Sequence, residues 1–300
     1  MKKTTFFLLL LLLSKGFCQN YALVLSGGGG KGAYEVGAYL ALCEYEIMPN
    51  IKAFSGTSAG GRNAALFALE SKQNVLTVWS HLVPQKLSGI QHQSFDDLDG
   101  IDEDSLRSIV EKVSYSRLFN DEQCPKIYVN TTRKRFYVLK SIGKGIGLDY
   151  AHYVCLNDEN NVHEIHNLLM ATSAFPLWQT QSVRLKDGYD YVDGGVSDNL
   201  PITPIFEENQ KYDCIFVVHL SHKVKKHKLY ANKYIFQNIV DIVPSANIGG
   251  IFKGMLNFSQ DKVDYLIGLG YMDTCAALKQ NGFKRPVQPN SNKKIISTSH

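Results

Sequence analysis

Several features that would assign a 300-residue chain at a glance are missing here. No internal repeat or low-complexity tract occurs beyond an N-terminal leucine run, so a repeat array is not expected. The six cysteines fit no zinc-binding spacing, which leaves no metal site to nominate. Neither sign of charge is in large excess, with 32 Lys and Arg facing 28 Asp and Glu. Residues 1–18 hold three of those bases (Lys2, Lys3, Lys15) and no acid, so the rest carries 29 against 28. No general attraction to nucleic acid follows. No linker-like stretch divides the chain. What remains is ordinary globular composition, 44% hydrophobic and 20% charged, with enough apolar material for a sizeable core.

Long hydrophobic runs are also scarce. Phe6 to Leu13 is an unbroken apolar stretch, too short to cross a bilayer. Lys2 and Lys3 precede it, and the small residues Gly16 and Cys18 follow. This is the pattern of a secretory signal peptide, residues 1–18, cleaved near Cys18. Bulky Phe17 and Lys15 argue against a lipid anchor on that cysteine. Residues 19–300 then form one domain, motif-bearing over about 21–280, that is secreted, periplasmic or in the secretory-pathway lumen. It keeps Cys43, Cys124, Cys155, Cys214 and Cys275. One or two disulfides are expected in an oxidising compartment, with pairing that cannot be read. Asn130-Thr131-Thr132 and Asn257-Phe258-Ser259 are glycosylation sequons, relevant only in a eukaryotic host.

Apolar Tyr21 to Ser26 reads as a buried strand, and Lys31 to Tyr45 as a helix with Val36, Leu40 and Cys43 near helical spacing. Ile51 to Ser55 reads as a second strand, and Gly60 to Ser71 as a second helix. This alternation implies a parallel sheet covered by helices. The polar stretch Gln85 to Asp121 holds one good helix, Asp104 to Val113. Lys126 to Lys140 predicts a hairpin turning near Thr132 to Lys134. Val162 to Thr172 suits a helix that stops before Pro176. Asp190 to Asp193 ends a strand-like run, Cys214 to Leu220 is a buried-strand candidate, and Asp261 to Lys279 reads as closing helices. Asn281 to His300 is polar and expected to fray.

Between the first strand and helix stands GGGGKG, Gly27 to Gly32. Bare amides opening a helix suit an anion. Gly27, Gly29 and Gly32 fit the dinucleotide-binding G-x-G-x-x-G, yet no acid ends the second strand, which runs into Ser55-Gly56-Thr57-Ser58. A Walker A loop would need a glycine at Leu25 and Ser or Thr at Gly32. An oxyanion hole remains, in which N–H groups meet a charge that exists only in transit.

Gly56-Thr57-Ser58-Ala59-Gly60 is G-x-S-x-G after a predicted strand and before a predicted helix, the setting of a nucleophile elbow. The bland alternative is a glycine turn that caps a helix with Ser58. A nucleophilic serine needs a base. His219 and His222 follow a predicted strand, and Asp193 in DGG (Asp193-Gly194-Gly195) ends another, where α/β folds place their sites. On its own, Asp-Gly is commonly just a turn.

Together these segments resemble the patatin-like phospholipases, whose marks are a G-G-G-x-[RK]-G loop, a G-x-S-x-G elbow and a later D-G-[GA]. They appear here in that order. Ala171 to Pro176 (ATSAFP), Asn199 to Pro201 and Leu269-Gly270-Tyr271 add to the likeness, while the insert around 85–125 matches nothing in it. The resemblance implies a three-layer α/β/α fold with a mainly parallel central sheet. It also implies hydrolysis of lipid acyl esters by a Ser58–Asp193 dyad, with no metal, nucleotide or other cofactor. The amides of Gly28, Gly29 and Gly30 would hold the oxyanion, and Lys31 would add positive potential.

Other readings compete. A nucleotide-binding Rossmann protein would not depend on Ser58. A non-catalytic lipid- or partner-binding member would keep the fold without turnover, and a Ser–His–Asp esterase would depend on His219 or His222. The basic run Lys223 to Lys228 suits an anionic membrane surface or simply a solvated loop. Trp79 and Trp178 are read first as core residues, with an acyl-pocket lining as the alternative.

Overall fold

The computed structural model describes residues 19–88, 103–134, 150–175, 182–207, 210–223 and 238–286. Residues 1–18, Trp178 and most of the basic run from Lys223, like residues 287–300, lie outside these.

One sheet contains eight strands among the described residues. They are β1 (Tyr21–Leu25), β2 (Ile51–Thr57), β3 (Lys126–Arg133), β4 (Ala151–Cys155), β5 (Val183–Arg184), β6 (Asp190–Asp193), β7 (Cys214–Val218) and β8 (Ile239–Ile242). The order is β5-β6-β3-β2-β1-β7-β8, with β4 also beside β3. Strands β3, β2, β1, β7 and β8 are parallel. Strands β4, β5 and β6 pair antiparallel.

The central strands YALVL and CIFVV are buried at every position, as unbroken apolar runs covered on both faces should be. Their side chains alternate. Leu23, Leu25, Phe216 and Val218 enter the larger core, while Ala22, Val24, Ile215 and Val217 enter a smaller one. Helices α1 (Ala33–Glu44) and α2 (Ala59–Leu69) follow β1 and β2. Further along come α3 (Glu103–Val110), α4 (Val162–Ala171) and α5 (Gln260–Gln280). Leu42, Leu66 and Leu266 carry α1, α2 and α5 into the larger core. The opposite face receives Ile205 from the short helix Thr203–Glu207. The result is the expected α/β architecture, a mostly parallel sheet between helices.

Three expectations change. The turn expected near Thr132 to Lys134 is not at Thr132 or Arg133, because β3 continues through to Arg133, and residues 135–140 of the expected hairpin lie outside the described residues. The antiparallel partner of β3 is Ala151–Cys155, with Tyr128 opposite Cys155 and Thr132 opposite Ala151. The closing helices are a single helix, α5, whose Ser259 cap accepts the Lys262 N–H. The five described cysteines are free thiols set on separate strands, helices and loops, so the expected disulfides are not found among the described residues.

Strand β3 also fixes where chain ends meet. One of its edges is taken by β4 over Tyr128 to Thr132. The other edge is shared end to end, with β2 pairing up to Asn130 and β6 taking over at Thr131. Thr57 lies opposite Asn130, and Asp193 lies opposite Thr131. Strands β2 and β6 therefore abut by their C-terminal ends on neighbouring rungs.

Candidate active site

Ser58 follows β2 at that junction, with φ 56° and ψ −123°. Such a backbone costs about 1–3 kcal/mol for a non-glycine residue and persists only where its surroundings impose it. Here they do. A Cβ on Gly56 would lie 2.2 Å from the Gly60 carbonyl oxygen, and one on Gly60 would lie 2.7 Å from the Leu25 and Ser26 carbonyl oxygens. Only glycines let the chain turn so tightly beside β1. The Ser58 N–H donates to Thr172 Oγ1 at 2.9 Å, and that hydroxyl donates to Asn130 O at 2.6 Å.

Asp193 reaches the same point from β6. Its N–H donates to Ala174 O at 2.8 Å, and its Oδ1 accepts the Gly195 N–H at 2.7 Å. Ser58 and Asp193 line one cleft, where the serine side chain favours the ionised form of this carboxylate. Burial pushes the Asp193 carboxyl up to about 6, against the pull of the Ser58 and Gly195 donors and the Arg62 charge. Asn130 fastens the turn by donating to Gly194 O at 2.8 Å and Asp198 O at 2.7 Å. Asn130 is fully buried, so this sequon offers no glycan acceptor in the folded protein.

The glycine loop forms the opposite wall. The Gly27 N–H is spent on Asn199 O at 3.0 Å and the Lys31 N–H on Gly28 O at 3.1 Å. Among the described residues no backbone carbonyl takes the amides of Gly28, Gly29 or Gly30. Gly28 and Gly29 line a cleft of about 230 Å³ together with Lys31, Ser58 and Asp193. Gly30 does not line it, since it packs against Asn257, whose carbonyl oxygen would meet a Cβ there at 2.4 Å. Gly32 packs on the indole of Trp79. Lys31 Nζ donates to Leu220 O at 3.2 Å, and burial holds its pKa below the usual lysine range.

The patatin-like phospholipase family model matches residues 23–206, more than half of the chain and all three glycine-bearing turns. The chain belongs to the patatin-like phospholipase family. That membership makes it, in general class, a lipid hydrolase. Among solved structures the chain is similar to VipD from Legionella pneumophila, at 14% identity and TM-score 0.47, over 87% of this chain and 67% of that one. It is also similar to human GIVD cytosolic phospholipase A2, at 9% identity and TM-score 0.48, over 87% of this chain and 63% of that one. The chain thus spans about two thirds of the length of these structures. No curated protein sequence matches it.

In this patatin-like chain, His219 is placed away from the serine. Its Nε2 lies 2.7 Å from Asp241 Oδ1, and neither His219 nor the exposed His222 lines the Ser58 cleft. Trp79 is a core residue whose Nε1 donates to Asn63 Oδ1 at 2.8 Å. Sequence reasoning missed Thr172, Asn130 and Arg62. Thr172 lies in the ATSAFP segment and Asn130 in a sequon, but neither pattern says that the residue reaches the Ser58 turn. Arg62 was legible as a cation one helical turn past the elbow serine.

Proposed function

We propose that the protein hydrolyses the carboxylic esters of lipids, in the manner of a phospholipase A or lysophospholipase, through a Ser58–Asp193 dyad. The observation that carries this reading is that the head-to-head junction of β2 and β6 brings Ser58, on its tight turn, and the buried Asp193 carboxylate into one cleft. Asp193 accepts the hydroxyl proton as Oγ attacks the ester carbonyl. The carbonyl oxygen becomes an oxyanion against the free amides of Gly28 and Gly29, with the Lys31 charge nearby. The proton returns from Asp193 to the departing alcohol, leaving an acyl-serine. Water, deprotonated by the same carboxylate, then releases the fatty acid. A carboxyl near 6 suits this work, being ionised at neutral pH yet more basic than an exposed aspartate. Export behind residues 1–18 belongs to the same proposal and is checked by N-terminal sequencing of the processed protein.

The test is fatty-acid release from mixed phospholipid vesicles by wild type, Ser58→Ala and Asp193→Asn. Loss in both variants with folding retained supports the dyad, and release that survives both refutes it.

A further inference from the structure

Arg62 has no part in the chemistry above. It sits one turn beyond Ser58 on α2, with its N–H donating to Ser58 O at 3.2 Å. Apart from Asn63, whose amide is engaged by Gly32 O, Glu35 and Trp79, the buried residues of α2 are small or apolar, Ala64, Ala65, Leu66 and Leu69 among them. Arg62 stands in the wall between the catalytic cleft and an apolar cavity lined by Leu66, Trp79, Leu169 and Phe258. Its Nη1 is closed to solvent and has no hydrogen-bond partner among the described residues. An unmet buried donor costs about 1–3 kcal/mol, and well-packed hydrocarbon of like volume would avoid that cost. Closed off in this way, Nη1 does not present itself to a substrate. Arg62 and Asp193 line the same cleft, and the charge that acts on the guanidinium there is the Asp193 carboxylate.

We infer that Arg62 is a positioning residue that acts through Asp193, its fixed positive charge holding that buried carboxylate in the ionised, proton-accepting form. The inference rests on the reading of Asp193 as the base and deepens it. The other charged and titratable groups around Asp193 are engaged elsewhere. Lys31 Nζ is turned to Leu220 O. Across β3, His152 stacks on Tyr191 and lies 3.2 Å from Thr131 Oγ1. Tyr191 donates to Asp187, and Asp198 accepts from Tyr153 at 2.8 Å. Burial works against the charge on Asp193, while the hydroxyl, the amide and Arg62 work for it. Arg62 alone among the three brings a full charge.

The experiment is the pH dependence of kcat/KM on a soluble ester, p-nitrophenyl butyrate, for wild type, Arg62→Met, Arg62→Gln and Arg62→Lys, with thermal melts to verify folding. Met and Gln differ in packing but both remove the charge. Both should move the acidic limb up by roughly one pH unit, a loss of about fivefold at pH 6 that fades above pH 8. Lys should return the limb to its wild-type position. A limb that stays in place in Met and Gln, with rates lowered equally at every pH, overturns the inference and leaves Arg62 a packing residue. Asp193→Asn is run alongside. If it keeps wild-type rates and the same limb, the dyad itself fails, an outcome distinct from the failure of Arg62.

Discussion

Two of the buried carboxylic acids, Glu35 and Asp193, differ instructively. Glu35 on α1 is wholly enclosed, where its Oε2 accepts Asn63 Nδ2 at 2.8 Å. That same amide donates to Gly32 O at 3.1 Å and receives Trp79 Nε1 on its oxygen, forming a sealed polar knot under the glycine loop. Burial pushes Glu35 up to about 8, so it is neutral at pH 7. Asp193 is nearly as buried but opens on the cleft and faces the Ser58 hydroxyl, the Gly195 amide and Arg62, which hold it near 6. At Glu35 burial outweighs two donors and makes a neutral acid. Asp193 also has two donors, and what it adds is a counter-charge.

The comparison can be broken most severely at the dyad. Asp193→Asn or Ser58→Ala should lower lipid ester hydrolysis about 10³-fold or more, whereas Glu35→Gln should stay within a few-fold of wild type. Parallel vesicle assays decide it, and an inactive but folded Glu35→Gln would erase the distinction between the two acids.

Stability sharpens the contrast next. Glu35 binds its proton more tightly folded than unfolded, so its contribution is fully present below pH 4.5 and is lost as pH rises through about 8. Glu35→Gln cannot lose that proton. It should be more stable than wild type at pH 8, by about 4 kcal/mol at most, and about equal at pH 4. The same sign holds for Asp193 over a lower window, from its usual 3.8 to about 6. Asp193→Asn should therefore gain up to about 3 kcal/mol at pH 7 while losing activity. Melting temperatures of both variants between pH 4 and 9 check the two windows. A gain that levels off in the same pH range for both acids, rather than near 6 for Asp193 and near 8 for Glu35, would contradict their separation.

The smallest effect is expected at the third acid–base pair. His219→Gln should leave kcat/KM on a short-chain ester within about threefold, because His219 is paired with Asp241 away from the cleft. A drop of a hundredfold would bring a histidine base back into consideration.

Local features were legible in the sequence to the extent that local physics determines them. Gly56 and Gly60 announce a tight turn, and the structure gives each a backbone neighbour that excludes a side chain. Asn161 and Ser259 cap the starts of α4 and α5, so those helices begin within a residue of expectation. Non-local features were hidden. Lys126 to Arg133 looks like half of a hairpin because alternation marks a strand without naming its partner. Nothing near Asn130 says that its amide holds the turn after β6, or that it is buried where a glycan cannot attach. Gly30 belongs to the glycine motif yet faces away, because the segment carrying Met255 and Asn257 covers that side of the loop. Only the assembled chain shows which amides remain free.

The end-to-end sharing of one β3 edge also bears on timing. Thr57 Oγ1 hydrogen bonds Asp198 O across 141 residues of sequence, and β6 joins the sheet through this same junction. A chain growing from its N-terminus can lay β1, β2 and β3 side by side long before Asp193 has been made, since distant pairings close last. During that interval Ser58 has its turn but no carboxylate beside it. On the dyad proposed above, reactivity toward an ester arrives only when most of the domain has been synthesised and docked.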